Sequence, residues 1–418
     1  MNEKAVDTDC ILQRRKNCRL CGSVKLENVL TLTPTPPANA FVPTDMLDKP
    51  QTTYPLELFL CSDCGHLQLL DVLDPRELFE HYVYVSGTSP SFVAHFEDYA
   101  QDAIQRFGLS PGDLVVDIGS NDGTLLQFFK DAGMRVLGID PAQEVAEDAR
   151  QRGIDTLTGF FDAECAQKIL EREGPAALIT ANNVFAHVDD LQGIVTGIRN
   201  LLAPNGRFVF EVSYLKDVFN KGLFDTIYHE HLDYHCAGPL VSFFERNNMA
   251  LVDTQHIETH GGSLRGYAAL ADNSPQIAPS VEEMVELERQ AGLFKPETFR
   301  TFASHIDRSR IELSALLKGL KAAGKSIAAY GAPAKATTLM YHFGLDTEII
   351  EYIVDDSPLK QGLYTPGLHV PVTGTDVLYE RKPDYVVILA WNFADAIISK
   401  HEHYGGRFII PLPNLVIR

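Results

Sequence analysis

Four cysteines fall in two pairs, Cys18-Arg19-Leu20-Cys21 and Cys61-Ser62-Asp63-Cys64, with the spacing of a thiolate metal centre. Each pair fits one tight turn with both sulfurs facing a single ion, and two such turns complete a tetrahedral set for zinc. Gly22 and Gly65 follow the pairs directly, and glycine accepts the positive φ that such a knuckle needs. A closed set of four thiolates leaves no open coordination position, so the zinc expected here is structural. Redox activity or plain burial are the alternatives for these thiols. The interval between the pairs is longer than in the commonest zinc ribbons, so strands must bring the pairs together. Cys10, Cys165 and Cys236 have no pairing pattern and read as small buried side chains.

A second group is the loop Asp117-Ile118-Gly119-Ser120-Asn121-Asp122-Gly123. It ends the apolar run DLVVDIGS and precedes TLLQFFKDAG, which has helical spacing. Gly119 and Gly123 let the backbone come close to a ligand at the carboxyl end of a strand, where open α/β sheets bind their ligands. The next apolar run, MRVLGID, ends on Asp140, an acid that can accept both hydroxyls of a ribose. The dinucleotide fingerprint is G-x-G-x-x-G. Here the glycines are spaced G-x-x-x-G, with Asp117 two positions before the first. The loop resembles motif I of class I methyltransferases, which implies S-adenosylmethionine rather than a nicotinamide cofactor. Asn182 and Asn183 close a later strand where that fold meets the adenosine and the reacting methyl; a turn role is the alternative for this pair.

The third group is Tyr228-His229-Glu230-His231-Leu232-Asp233-Tyr234-His235. The two histidines flanking Glu230 are two apart, unlike the H-E-x-x-H of zinc proteases, so a catalytic metal is not the reading. A surface polar loop is the plain alternative to a cluster of proton-handling groups.

These groups need elements to hold them. Strand-like runs alternate with helical stretches from DLVVDIGS through PAALITANN, the helix DLQGIVTGIRNLLAPNG and RFVFEVSY, the grammar of a parallel sheet with right-handed crossovers. A largely helical stretch from Ser280 to Gly324, broken near Pro296, leads to a second α/β series: KSIAAYG, APAKATTLMYHFG, EIIEYIVDDS, DYVVILAWN and RFIIPLP. Thr31 to Pro37 reads as a Pro/Thr-rich connection. The expected organisation is a zinc-binding module over 1–75, a class I methyltransferase core over 76–272, and a helical connection with a C-terminal Rossmann-like domain over 273–418. The fold class is thus α/β, a doubly wound sheet flanked by these two units.

The chain of 418 residues, 45% hydrophobic and 22% charged, is long enough for two or three domains of roughly 100–200 residues. Its formal net charge of −20 repels phosphate backbones and anionic lipid, so nucleic acid and membranes are not expected partners. No run approaches the roughly 20 apolar residues of a membrane span, and MNEKAVDTDC lacks the apolar core of a signal peptide. A cytoplasmic location is expected.

Taken together, the chain resembles the zinc-containing sugar C-methyltransferases that act on nucleotide-linked 4-keto-6-deoxysugars. The resemblance spans nearly the whole length: the cysteine module, His81-Tyr82-Val83-Tyr84-Val85-Ser86-Gly87-Thr88-Ser89, DIGSNDG, NNVFAHVDD, YHEHLDY, THGGSLRGY and YGAPAKATTL. It implies His231 as general base, Tyr228 and Glu230 as its companions, and His187 and Tyr82 around the sugar. It implies Ser86 beside Asp117, Gly119, Gly123, Asp140, Asn182 and Asn183 at the cofactor, and Cys18, Cys21, Cys61 and Cys64 at zinc. The C-terminal domain would contribute to the site for a nucleotide-diphosphate ketosugar. Lys335, early in a helix after Gly331, suits either a phosphate or solvent, and Arg265 is equally open. The implied chemistry is coherent: a ketone acidifies the neighbouring C–H, a neutral histidine removes the proton, and the enolate takes the methyl, with C3 of the sugar the expected position. Methylation at C5, oxygen or nitrogen, and a non-catalytic scaffold with a vestigial cofactor fold, are the rival readings.

Overall fold

A computed structural model of the chain describes residues 11–79, Gly87 and 90–418. The N-terminal part holds β1 (Leu12–Arg14), β2 (Leu26–Thr35), β3 (Tyr54–Cys61), β4 (Leu67–Leu69) and β5 (Asp71–Leu73). β2, β3 and β4 form an antiparallel sheet, and β1 pairs with β5. Much of the stretch expected as a Pro/Thr-rich connection is therefore strand. β2 is the edge of its sheet, where Pro34 removes no needed ladder bond, and the pairing with β3 shifts register between Leu32 and Thr35.

The central part runs β6 (Leu114–Ile118), β7 (Arg135–Asp140), β8 (Thr156–Thr158), β9 (Ala176–Asn182) and β10 (Leu202–Ser213). All five residues of β6 are buried, as expected for a strand covered by helices on both faces. β11 (Asp233–Tyr234) leaves this region and joins the N-terminal sheet beside β4. The chain then returns as β12 (Met249–Ile257) and β13 (Ser263–Leu270). The central sheet has the order β12-β13-β10-β9-β6-β7-β8. β13 is antiparallel to both neighbours, and the strands from β10 to β8 are parallel. This is the doubly wound sheet of class I methyltransferases.

Helices Pro279–Gln290 and Pro296–Ala322 separate the central sheet from a second one. That sheet contains β14 (Ile327–Tyr330), β15 (Ile353–Val354), β16 (Val372–Thr373), β17 (Tyr385–Ile388), β18 (Arg407–Ile410) and β19 (Val416–Ile417), in the order β16-β15-β14-β17-β18-β19. All its pairings are parallel except that of β18 with β19. The strand read from EIIEYIVDDS is short, reduced to Ile353–Val354. One hydrophobic core joins Leu56 and Leu58 of β3, Leu313 and Leu317 of the long helix, and Ile327 and Val387 of the second sheet. The small N-terminal sheet thus borrows its core from the C-terminal half. No described helix is long and apolar enough to cross a membrane.

Candidate active site and metal centre

The four sulfurs of Cys18, Cys21, Cys61 and Cys64 lie within 4.8 Å of one another. Sγ–Sγ distances are 3.6 Å for Cys18–Cys64 and 3.5 Å for Cys21–Cys61. A tetrahedral zinc with Zn–S bonds of about 2.3 Å separates its sulfurs by roughly 3.8 Å, so the cluster fits the ion. Each knuckle closes on its glycine: Gly22 N–H donates to the Cys18 carbonyl at 2.9 Å, and Gly65 N–H to that of Cys61 at 2.8 Å. Both glycines have positive φ, and a Cβ on Gly65 would stand 2.6 Å from the Phe294 ring. The long interval between the pairs is spanned by the β2–β3 hairpin, whose register sets Leu26 opposite Cys61.

At the carboxyl ends of β6, β7 and β9, Gly119 has φ 70°, and its Cβ would meet Val184 at 2.3 Å. Gly123 also has positive φ and opens the helix Thr124–Asp131. Asp117 is buried and accepts from the Thr180 hydroxyl at 2.6 Å. Burial, opposed by that bond, pushes its pKa up to about 7. Asp140 accepts from the backbone N–H groups of Asn121 and Ala142 at 2.8 and 2.9 Å, so its carboxylate also shapes the loop. Ser120 Oγ and both amide atoms of Asn182 are buried without a hydrogen-bond partner among the described residues. Orphaned polar atoms at this edge match a polar ligand and fit S-adenosylmethionine. Asn183 sits in the left-handed region, φ 56°, with its N–H donating to the Glu211 carbonyl. Ser86 and Tyr82 lie outside the described residues. Gly87, from the same segment, donates its N–H to Asp122 at 3.2 Å.

Beside this edge is a pocket lined by Asn183, His187, Ser213, Thr226 and His231. His231 stacks on His187 with ring centroids 5.0 Å apart, and Tyr228 lies 4.2 Å from His231. His187 also stacks with Phe79, ring centroids 5.5 Å apart. Burial, and then the neighbouring His231, hold the His187 pKa well below the usual histidine value, so its ring is neutral. His231 Nδ1 lies 2.7 Å from the Thr226 carbonyl. A carbonyl only accepts, so Nδ1 carries the proton, and a neutral ring then has its basic lone pair on Nε2.

Three other polar groups of the segment have partners outside it. His229 is buried and donates to the Tyr54 carbonyl at 3.3 Å; burial lowers its pKa to about 4. Glu230 accepts from Asn39 Nδ2 at 2.9 Å. His235, also lowered to about 4 by burial, donates to the Phe185 carbonyl. The structure therefore brings His187, Tyr228 and His231 together and ties Glu230 to the N-terminal unit. Lys335 is not solvated: its Nζ is 3.4 Å from Asp225 and 4.3 Å from the Trp391 ring centroid. Arg265 is likewise committed, donating to Glu211 at 2.9 Å and lying over Tyr99.

One further cluster lies outside the groups read from the sequence. Glu211, near the carboxyl end of β10, is bonded to His95 at 2.9 Å, to Arg265, and to the Thr259 hydroxyl. Burial alone would raise its pKa, but His95 and Arg265 outweigh this and hold it at about 2. The acid in RFVFEVSY, inside an otherwise apolar strand, was the available signal.

Three family descriptions match in order: "Putative zinc binding domain" over residues 18–79, "Methyltransferase domain" over 92–254, and "C-methyltransferase C-terminal domain" over 258–413. The fold and these matches define a methyltransferase that uses S-adenosylmethionine and carries a structural zinc module. The C-methyltransferase NovU of Streptomyces niveus is 37% identical over 95% of each chain. The Ubiquinone biosynthesis O-methyltransferase of Vibrio atlanticus is 28% identical, over 29% of this chain and 51% of that one. The chain belongs to the C-methyltransferase family that includes NovU, and it is a C-methyltransferase.

Proposed function

We propose that the chain methylates a carbon, C3, next to the ketone of a nucleotide-diphosphate-linked 4-keto-6-deoxysugar, in the cytoplasm. The observation that carries this reading is the 2.7 Å bond from His231 Nδ1 to the Thr226 carbonyl, which sets a basic Nε2 in a pocket at the cofactor edge of the central sheet. His231 removes the proton from the carbon beside the ketone. His187 and Tyr228 are the candidate donors to the oxygen on which the enolate charge develops, with Tyr82 and Glu230 completing the sugar's surroundings. Ser86, Asp117, Gly119, Gly123, Asp140, Asn182 and Asn183 hold S-adenosylmethionine, which supplies an electrophilic methyl when bound. Cys18, Cys21, Cys61 and Cys64 hold zinc away from the reacting carbon. The C-terminal sheet contributes to the sugar-nucleotide site.

The test is a panel of sugar nucleotides, each offered as the 4-ketone and as its 4-hydroxy counterpart, with products read by mass and NMR. Methyl on carbon of the ketones alone supports the reading. Methyl on oxygen or nitrogen, or equal turnover of the 4-hydroxy sugars, refutes it.

A further inference from the structure

The Thr226 carbonyl that receives His231 Nδ1–H belongs to a short turn, Phe224–Thr226, and both of its neighbours are held by the C-terminal unit. On one side Asp225 is wholly buried, and its Oδ2 accepts from Trp391 Nε1 at 2.6 Å. Lys335 Nζ approaches the same oxygen at 3.4 Å and lies over the Trp391 ring. On the other side the Ile227 carbonyl accepts from the Thr338 hydroxyl at 2.8 Å. Lys335 and Thr338 share the helix Ala334–Phe343 that follows β14, and Trp391 follows β17. The loops after these two strands are close: a Cβ on Gly331 would be 2.7 Å from that of Ala390. A buried carboxylate with one oxygen, Oδ1, unpartnered among the described residues is costly to keep. An apolar side chain would fill the same space without that cost. What the carboxylate provides is a fixed direction, because it receives an indole N–H and an ammonium from two separate elements.

We propose that Asp225, Trp391 and Lys335 are positioning residues for the methyl-transfer reaction: they hold the Thr226 carbonyl where it fixes the tautomer of His231. The C-terminal sheet then does more than help form the sugar-nucleotide site; it sets which ring nitrogen of the base is basic. This rests on the reading of His231 as the base. If the turn slips, the proton can sit on Nε2, and a histidine in that state faces the substrate with a donor instead of an acceptor.

The test uses the full zinc-loaded chain with ¹⁵N-labelled histidine and bound S-adenosylhomocysteine. Protonated and unprotonated ring nitrogens resonate far apart, and the His231 signals are identified by their loss in His231→Asn. Wild type shows a protonated Nδ1 and an unprotonated Nε2. Asp225→Asn removes the charge pairing with Lys335, and Trp391→Phe removes the indole donor. Each is expected to mix the His231 tautomers and lower kcat about tenfold or more, within the 10²–10⁴-fold worth of general-base help. KM for the ketosugar nucleotide and affinity for S-adenosylhomocysteine should stay near wild type. If the buried Asp225 variant does not fold, Trp391→Phe is decisive alone. Wild-type His231 signals in a folded variant, or a change in the tautomer without a change in kcat, overturn the proposal. Normal turnover by His231→Asn would instead overturn the base assignment itself.

Discussion

His66 and Asp233 share a 2.6 Å hydrogen bond between two wholly buried side chains. His66 is two residues past the zinc-knuckle Cys64, and Asp233 is two residues past His231. The same junction is stitched by the pairing of β11 with β4, and by Leu69 N–H donating to the Leu232 carbonyl at 2.9 Å. The segment bearing His231 is in effect an added strand of the zinc-module sheet. A metal with no place at the reacting carbon therefore bears on the geometry of the reaction pocket.

From this follows the first prediction. Purified protein carries one zinc per chain, and Cys61→Ser loses it. Because the module lacks its own core, loss of metal should loosen β4 and β11 and lower methyl transfer more than binding of S-adenosylhomocysteine, which uses the central sheet. Metal analysis alongside calorimetry checks this. Stoichiometric absence of zinc from carefully handled, fully active protein contradicts it.

The second prediction concerns Asp117. Burial, against the Thr180 hydrogen bond, raises its pKa from 3.8 to about 7 in the folded protein. A raised carboxyl costs stability as pH climbs from the unfolded value through about 7, and the full cost is present above that. Asp117→Asn should therefore stabilise the cofactor-free protein at pH 8, by about 2–4 °C in Tm for each kcal/mol relieved, and should change little at pH 4. The same substitution should weaken S-adenosylmethionine, whose ammonium gains from a nearby carboxylate. Thermal melts at both pH values decide it; equal shifts at pH 4 and pH 8 would contradict the linkage.

The third prediction is cofactor choice. The central domain binds S-adenosylmethionine and not a nicotinamide dinucleotide. Asp140→Ala should weaken binding about tenfold or more, since it strips an acceptor from the ribose position and leaves Asn121 N–H without its partner. Titration calorimetry reads both ligands. Tight NAD binding with none for S-adenosylmethionine would reverse the assignment.

Motifs confined to a few consecutive residues were legible in the sequence. The knuckle pairs, the G-x-x-x-G loop and the alternation of strand and helix each rest on local spacing. What could not be read was the direction in which each member of YHEHLDYH points. His229 and His235 are turned toward the Tyr54 and Phe185 carbonyls, and Glu230 takes a hydrogen bond from Asn39, all partners far off in the chain. The Glu211 cluster was hidden for the same reason: His95, Glu211 and Arg265 meet only because β13 pairs antiparallel with β10 and the helix Pro90–Phe107 packs nearby. Lys335, open between phosphate and solvent on spacing alone, proved to be held by an acid and an indole from two other loops.

The most direct test of the account is proton exchange at the carbon to be methylated. Wild-type enzyme, a 4-keto-6-deoxysugar nucleotide that it methylates and S-adenosylhomocysteine are incubated in deuterated water, and the C3 proton is followed by NMR. Wild type should exchange this proton. His231→Asn should still bind the sugar nucleotide but lose exchange and methyl transfer together, by about 10²–10⁴-fold. An Asn variant that binds normally and keeps nearly full exchange and turnover would contradict it.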